Sequence, residues 1–149
     1  MAALTANGGF SNYLENIILI RWFRGDTTAI PSSVFIGLLT AQSQDGADTF
    51  TEVTGGAYSR NLGGGISTAA ANTNWTVSGT NPTLVTYTNA ADITFPTATA
   101  SWGLIVGFGL FDAASAGNLL FHGPLTTSKT VNLGDSFKFA QNSIVIQLD

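Results

Sequence analysis

The sequence predicts an all-β fold, either a sandwich or a barrel, preceded by one N-terminal α-helix. Three observations predict it. About eight short segments alternate in polarity or are rich in β-branched and aromatic residues, and turns separate them at regular spacing. Only residues 10–25 have a convincing helical pattern. The 149 residues show no internal repeat or linker, so we expect residues 10–149 to form a single domain.

Residues 1–9 are small and polar and show no periodicity, so we expect a flexible N-terminal arm that orders only against a partner. In the predicted helix, Asn12 and Glu15 have the spacing of a capping box, and Gly25 suits the position after the last turn. The helix has too many apolar residues for one stripe, which predicts burial on more than one side. One side would face the sheet and another a neighbouring chain; the alternative is that loops of the same chain cover it. The residues expected at such an interface are Leu4, Phe10, Tyr13, Ile17, Ile20, Trp22, Phe23 and Arg24.

The middle of the chain predicts several shorter strands. Residues 31–40 read as a buried strand, residues 57–62 as a short strand anchored by Tyr58, and residues 74–77 and 83–88 as two more. Trp75 is the only aromatic residue in a polar region, which makes it a candidate contact residue. The carboxylates of Asp45, Asp48 and Glu52 do not have EF-hand spacing, so a solvated loop is the interpretation there.

The stretch at residues 91–123 organises the rest of the chain. Ile93 and Phe95 alternate with polar residues, and the uncharged run WGLIVGFGLF at residues 102–111 predicts a strand buried on both faces. A buried helix is the alternative, but three glycines in such a helix would cost roughly 1 kcal/mol each. We expect a neighbouring element or subunit to cover the face that carries Gly103, Ile105, Gly107, Gly109 and Phe111. Further strands follow at residues 119–123, around Phe137 and Phe139, and at residues 144–148.

Composition excludes some classes of function. Charged residues make up 9% of the chain, against about 25% in ordinary soluble proteins, so its surfaces are nearly neutral and suit permanent contacts. The net charge is −4 with only five basic residues, which argues against nucleic-acid binding. No segment approaches the roughly 18 apolar residues of a membrane helix, and the chain has no cysteine for a thiolate metal site.

No catalytic constellation is recognisable. His122 is the only histidine, and its place on a strand predicts a surface or interface residue rather than a base. Glu15 is expected to cap the helix, while Asp92 and Asp112 lie where strands end, so a glycosidase pair among these carboxylates and Glu52 is not favoured. Trp102 and Tyr87 could stack on sugars, but Trp102 reads as core. We expect no enzyme activity, no metal and no cofactor.

Five phrases carry a family resemblance: SNYLENIILIRWFRG, TEVTGGAYSR, ADITFPTATASWGLIVGFGLFDAA, GNLLFHGPLTTSKTVNLGDSFKF and SIVIQLD. Through them the chain resembles a group of small tailed-bacteriophage virion proteins, often labelled tail-fibre proteins. The resemblance spans residues 10–25, 31–60 and 90–149 and is thin over residues 61–89. Its most specific motif is residues 92–102 followed by residues 108–112 and 120–123.

The resemblance implies a jelly-roll-like antiparallel β-sandwich in the virion. Similar small sandwiches on phage heads act as cement, or decoration, proteins and commonly form trimers. The leading hypothesis is therefore a capsid cement protein on the capsid exterior, with the major capsid protein and other copies of itself as partners. The alternative is a tail-fibre or appendage component that binds host surface glycans, for which Trp75 is the motivating residue.

Overall fold

The structure, a computed structural model, describes residues 8–27, 31, 33–42, 49–62, 75–79 and 85–147. Within these ranges the chain has one helix and ten strands. They are β1 (Gly9–Phe10), α1 (Asn12–Arg24), β2 (Phe35–Gln42), β3 (Phe50–Glu52), β4 (Trp75–Ser78), β5 (Thr86–Asn89), β6 (Ile93–Thr94), β7 (Gly103–Phe111), β8 (Leu119–Val131), β9 (Lys138–Phe139) and β10 (Val145–Gln147). No helix in these ranges is both long enough and apolar enough to cross a membrane.

The strands form antiparallel sheets around a shared core. One sheet has five strands in the order β1-β8-β7-β2-β3. A three-stranded sheet, β10-β5-β4, and the pair β6-β9 supply the opposing side chains. The main buried cluster joins Leu38 and Phe108 of the large sheet to Trp75, Ile93 and Phe139 of the smaller ones. The predicted all-β sandwich with an N-terminal helix is confirmed, whereas the jelly-roll connectivity stays a prediction.

The long apolar run is a strand, as predicted, but its faces differ from the expected alternation. The register between β7 and β8 shifts between Ile105 and Gly107. Because such an irregularity changes which face the following residues occupy, Ile105 joins the core together with Phe108. Leu104 is 48% exposed, so burial on both faces holds only for the second half of the strand.

Gly107 and Gly109 of β7 lie under side chains of the same chain, whereas a Cβ at Gly103 would meet no atom within 4 Å. A Cβ at Gly109 would lie 2.8 Å from Leu119 and from the ring of Phe111, and a Cβ at Gly37 on β2 would also lie 2.8 Å from that ring. Gly37 and Gly109 are opposite each other in the sheet. Together they leave the space in which the Phe111 ring lies against the backbone.

The helix begins at Asn12, so its N-cap lies one residue earlier than predicted. Ser11, not Asn12, is the N-cap, and its Oγ accepts from the backbone N–H of Leu14 at 3.1 Å. The same hydroxyl donates to the carbonyl of Leu119, so the capping residue also attaches the helix to β8. The predicted capping box is wrong because Glu15 is then one residue too far from the cap. Gly25 ends the helix in the left-handed conformation with φ 67°, as predicted.

Of the two short strands predicted at residues 57–62 and 74–77, the structure has only the second. Residues 57–62 are not a strand, and their single ladder contact is a bridge between Asn61 and Ile36. The strand predicted near residues 74–77 is β4. Leu4, Asp45 and Asp48 lie outside the described residues, as does most of the predicted arm at residues 1–9.

Candidate functional site: an exposed helix patch on a clamped sandwich

The outer surface of α1 carries large apolar side chains that the chain does not bury. Trp22 is 81% exposed, Phe23 82% and Leu19 55%. Leu19 is three residues from Trp22 and four from Phe23, so the three side chains are neighbours on one helix surface. We call these three residues the outer helix patch.

Other residues predicted for the interface surround the patch or lie inside the fold. Tyr13 is 38% exposed, Arg24 is exposed and Ile20 is half-buried. Ile17 is the buried residue of the helix, and Phe10 contacts Phe121 of β8 edge to face with centroids 6.0 Å apart. The helix therefore has an inner side attached to the sheet and an outer side that the chain by itself leaves open.

Trp75 does not lie in a polar loop, and this corrects the expectation that its ring is available for contact. It is the first residue of β4 and is only 6% exposed. It lines an apolar cavity of about 250 Å³ together with Phe10, Leu14 and Tyr87. The indole N–H of Trp75 has no hydrogen-bond partner in the described part of the chain. A buried ring cannot stack on a glycan, so the residue's observed role is in the core.

His122 is also buried, contrary to the surface or interface position that the sequence predicted. It is 2% exposed. In the sheet it is opposite Gly9 on β1 and Gly109 on β7. Because both cross-strand neighbours are glycines, there is room for the imidazole ring of His122 beside them in the sheet. The sequence alone does not show which residues lie opposite His122, so its burial could not be predicted.

A polar cluster holds the segment after β3 against the large sheet. Arg60 forms a bidentate ion pair with Glu52, with 2.8 and 2.6 Å between donor and acceptor atoms. The two side chains are only 6% and 18% exposed. The Tyr58 hydroxyl donates to Glu52 at 2.8 Å and accepts from the backbone N–H of Leu38 at 2.8 Å. Burial raises the pKa of this hydroxyl well above its ordinary value, so it stays protonated as a hydrogen-bond donor.

The same cluster clamps the β7–β8 turn. The third guanidinium nitrogen of Arg60, Nη1, donates to the carbonyls of Ala113 and Ala116 at 2.6 and 2.7 Å. Within the turn, Asp112 accepts from the backbone and side-chain nitrogens of Asn118 at 2.7 and 2.8 Å. The N–H groups of Arg60 thus donate to a carboxylate and to backbone carbonyls. The cluster therefore fixes the segment after β3 and the β7–β8 turn relative to each other.

The backbone between Glu52 and Tyr58 is unusual. Gly55, Gly56 and Ala57 have consecutive positive φ angles of 74°, 57° and 61°. The carbonyl of Gly56 accepts from the indole N–H of Trp102 at 2.9 Å. The backbone geometry therefore explains the two glycines in the segment TEVTGGAYSR. They permit the turn that brings Tyr58 and Arg60 back to Glu52.

The described residues thus form a β-sandwich with an exposed apolar patch on its helix and a polar cluster that fixes the β7–β8 turn. The chain belongs to the family described as podophage GP4 fiber I protein gp80, whose family model matches residues 9–147. No curated protein matches the chain. The resemblance to small phage virion proteins is thus confirmed, and the chain is a phage fibre or virion structural protein.

Proposed function

We propose that this chain is a building subunit of a podophage fibre and that the outer helix patch attaches it to a neighbouring virion chain. The exposure of Trp22 and Phe23 is the observation that carries the proposal. Aromatic residues are the usual anchors of protein interfaces. The family's description as a fibre protein favours a fibre over other virion locations.

The patch supplies enough apolar area to act as an anchor but too little to form an interface by itself. Two aromatic side chains bury roughly 150–250 Å² each, so at about 25 cal/mol per Å² they contribute roughly 7–12 kcal/mol before association costs. Those costs are about 4–15 kcal/mol. Additional contacts, from the nearly neutral surface around the patch, complete the interface. The partners we propose are further copies of this chain, as a trimer, and the virion protein to which the fibre is attached.

Capsid cement is the second candidate function. The low proportion of charged residues, 9%, and the open helix patch suit a protein that bridges subunits of the major capsid protein equally well. Enzyme activity has no support from the polar cluster, in which Glu52 and Arg60 are engaged with each other. Host-glycan binding through Trp75 loses its motivation because that ring is buried.

Gold-labelled antibody against the purified chain, imaged on intact virions, tests the location. Label on fibres supports the proposal, whereas label spread over the head would favour cement.

Attachment is tested by adding the purified chain to virions that lack it. We expect Trp22→Ser with Phe23→Ser to abolish binding. The matched control is Leu133→Ser, which removes another apolar side chain, 70% exposed, from a turn outside the helix. Equal binding by the double variant and the control would disprove the role of the patch.

A further inference from the structure

The apolar cavity beside α1 lies between the five-stranded and the three-stranded sheet. Its volume is about 250 Å³, and none of the described residues that line it exposes a polar atom to it. The lining includes Leu14 of α1, Val34 just before β2 and Tyr87 of β5. An apolar cavity of this kind stays dry, so the atoms of its wall lack contacts that an apolar occupant would supply.

The cavity opens where Tyr87 lies opposite Val77 of β4. Val77 is two residues after the buried Trp75, so it is on the core-facing side of the strand. Nevertheless Val77 is 53% exposed and Tyr87, whose side chain lines the cavity, is 45% exposed. Such exposure on the core-facing side marks the place where the two sheets separate. We call Val77 and Tyr87 the cavity mouth.

The size and the polarity of the cavity indicate what kind of group fits it. Benzene occupies an apolar cavity of about 150 Å³, so one of about 250 Å³ has room for an aromatic side chain. Sites for free small molecules usually include a few polar groups that fix the orientation of the ligand. The described lining residues offer no such group to the cavity. The cavity therefore suits an apolar side chain of another protein chain better than a free metabolite.

Phe23 of the outer helix patch has the properties of such a side chain. It is 82% exposed, and its ring has no hydrogen-bonding group. Trp22 is exposed to the same degree, but its indole N–H would find no acceptor in an apolar cavity. Phe23 follows Leu14 by nine residues, which at about 100° per residue places it on the opposite side of the helix from the cavity. A Phe23 ring in this cavity therefore belongs to a second copy.

Charge favours a second copy as well. Arg21 and Arg24 lie in the last turn of α1, on either side of Phe23 in the sequence. The chain as a whole has a formal net charge of −4, and the described lining of the cavity includes no charged residue. The basic end of one helix is therefore attracted to another copy and meets no like charge on the cavity wall.

We propose that Phe23 of one copy inserts into the cavity of a second copy, with Leu19 and Trp22 packed on the cavity mouth. This rests on the proposed function, because it identifies the neighbouring chain to which the outer helix patch attaches as a further copy. Since the patch and the cavity lie on opposite sides of α1, a copy that gives its ring to one neighbour can accept a ring from another. Contacts of this type continue from copy to copy as a filament or close into a ring.

Cross-linking between single-cysteine variants tests the contact, because the natural chain has no cysteine. One copy carries Arg24→Cys, next to Phe23, and the other carries Val77→Cys at the mouth; both positions are exposed. We expect a short bismaleimide to join these two unlike copies. The control replaces Val77→Cys by Leu133→Cys, in a turn where the side chain is 70% exposed, and we expect no joined pair there. Equal cross-linking to the two positions would overturn the proposal.

Substitutions in either copy show whether the ring and the cavity are in contact. Phe23→Ala beside Arg24→Cys should lower the yield of joined pairs roughly tenfold or more, as truncation of a buried aromatic anchor does. Trp22→Ala, the matched control, should lower it less, because the indole stays outside the cavity. In the other copy Val34→Phe fills the cavity and should lower the yield as much as Phe23→Ala. Equal losses from Phe23→Ala and Trp22→Ala would show that Phe23 is not the inserted residue.

Toluene provides a second measurement that needs no substitution in the core. At high concentration it should occupy the cavity, raise the melting temperature of the Phe23→Ala chain and reduce cross-linking between the Arg24→Cys and Val77→Cys copies. Cross-linking that neither toluene nor Val34→Phe reduces would place the contact outside the cavity and overturn the proposal.

Attachment to the virion and contact between copies are separable results. If attachment requires Trp22 and Phe23 but cross-linking does not depend on Phe23, the patch binds a different virion protein and the second copy is ruled out. If Phe23-dependent cross-linking occurs while gold label covers the head, the contact between copies stands and the fibre location is wrong.

Discussion

The guanidinium carbon of Arg60 lies 3.5 Å from the centroid of the Phe111 ring, and the ring lies over two facing glycines. Backbone, aromatic ring and guanidinium are thus stacked in three layers on the face of the large sheet. The edge of the guanidinium is engaged by Glu52 in a bidentate pair. This stack ties β3 to the end of β7 and to the β7–β8 turn, which are far from β3 in the sequence.

Replacing Arg60 is expected to cost much of the fold's stability. Arg60→Ala leaves the carboxylate of Glu52 largely buried without its cation, and breaking such a pair typically costs about 3–5 kcal/mol. Arg60→Lys should recover only part of the loss, since a lysine cannot form the bidentate pair or stack on Phe111 in the same way. Urea unfolding monitored by circular dichroism measures both changes.

The control for Arg60 is the exposed ion pair of Lys138 with Asp92, whose side chains are each 50% exposed. Exposed ion pairs contribute little because water screens the two charges, so Lys138→Ala should change stability little. Similar losses for Arg60→Ala and Lys138→Ala would show that the buried cluster does not hold the fold.

The glycines of the TEVTGGAYSR turn provide a matched pair of substitutions. Gly55 and Gly56 both have positive φ, so alanine at either position costs about 1–2 kcal/mol of backbone strain. A Cβ at Gly55 meets no atom within 4 Å, whereas a Cβ at Gly56 would lie 2.8 Å from the indole nitrogen of Trp102. Gly56→Ala should therefore be more destabilising than Gly55→Ala by about 1–3 kcal/mol, as overpacking typically costs. Thermal unfolding of the two variants compares them directly, and equal losses would contradict the close contact with Trp102.

The ion pair of Asp92 predicts a change in stability at acid pH. The hydrogen bond from Lys138, followed by that from the backbone N–H of Gln141, lowers the pKa of Asp92 in the folded protein. A carboxyl group with a lowered folded pKa stabilises the protein above its unfolded pKa of about 3.9, and this contribution is lost as the pH falls through the folded value. The melting temperatures of natural protein and Asp92→Asn should thus differ above about pH 5 and converge toward pH 2. A difference that does not depend on pH would exclude this cause.

The sequence was sufficient to predict the secondary-structure elements whose residue pattern is local. The helix, the long strand at residues 102–111 and the final alternating strands each have a periodicity that burial imposes directly. Gly25 could be assigned to the helix end for the same reason, because its role depends only on the preceding turn. The true cap, Ser11, was missed because its hydroxyl also binds Leu119, a contact that spans 108 residues of sequence.

The burial of individual side chains depends on residues that are distant in sequence, so it could not be predicted from the sequence. His122 is buried because glycines lie opposite it on two other strands, and Trp75 is buried because β4 pairs with β5 over the core. The polar cluster has a signal in sequence, since Glu52, Tyr58 and Arg60 are close together in the chain. Their convergence, however, requires three consecutive residues of positive φ, one of which is an alanine.

The three tryptophans make the state of the outer helix patch measurable. Trp22 is 81% exposed, whereas Trp75 and Trp102 are 6% and 5% exposed. In the isolated chain, acrylamide should quench one accessible component of the fluorescence, and Trp22→Phe should remove that component. Trp75→Phe, the matched control, should leave it in place. If the patch anchors the chain in the virion, the accessible component becomes protected when the natural chain is bound to particles that lack it. Unchanged quenching on binding would show that attachment uses another surface.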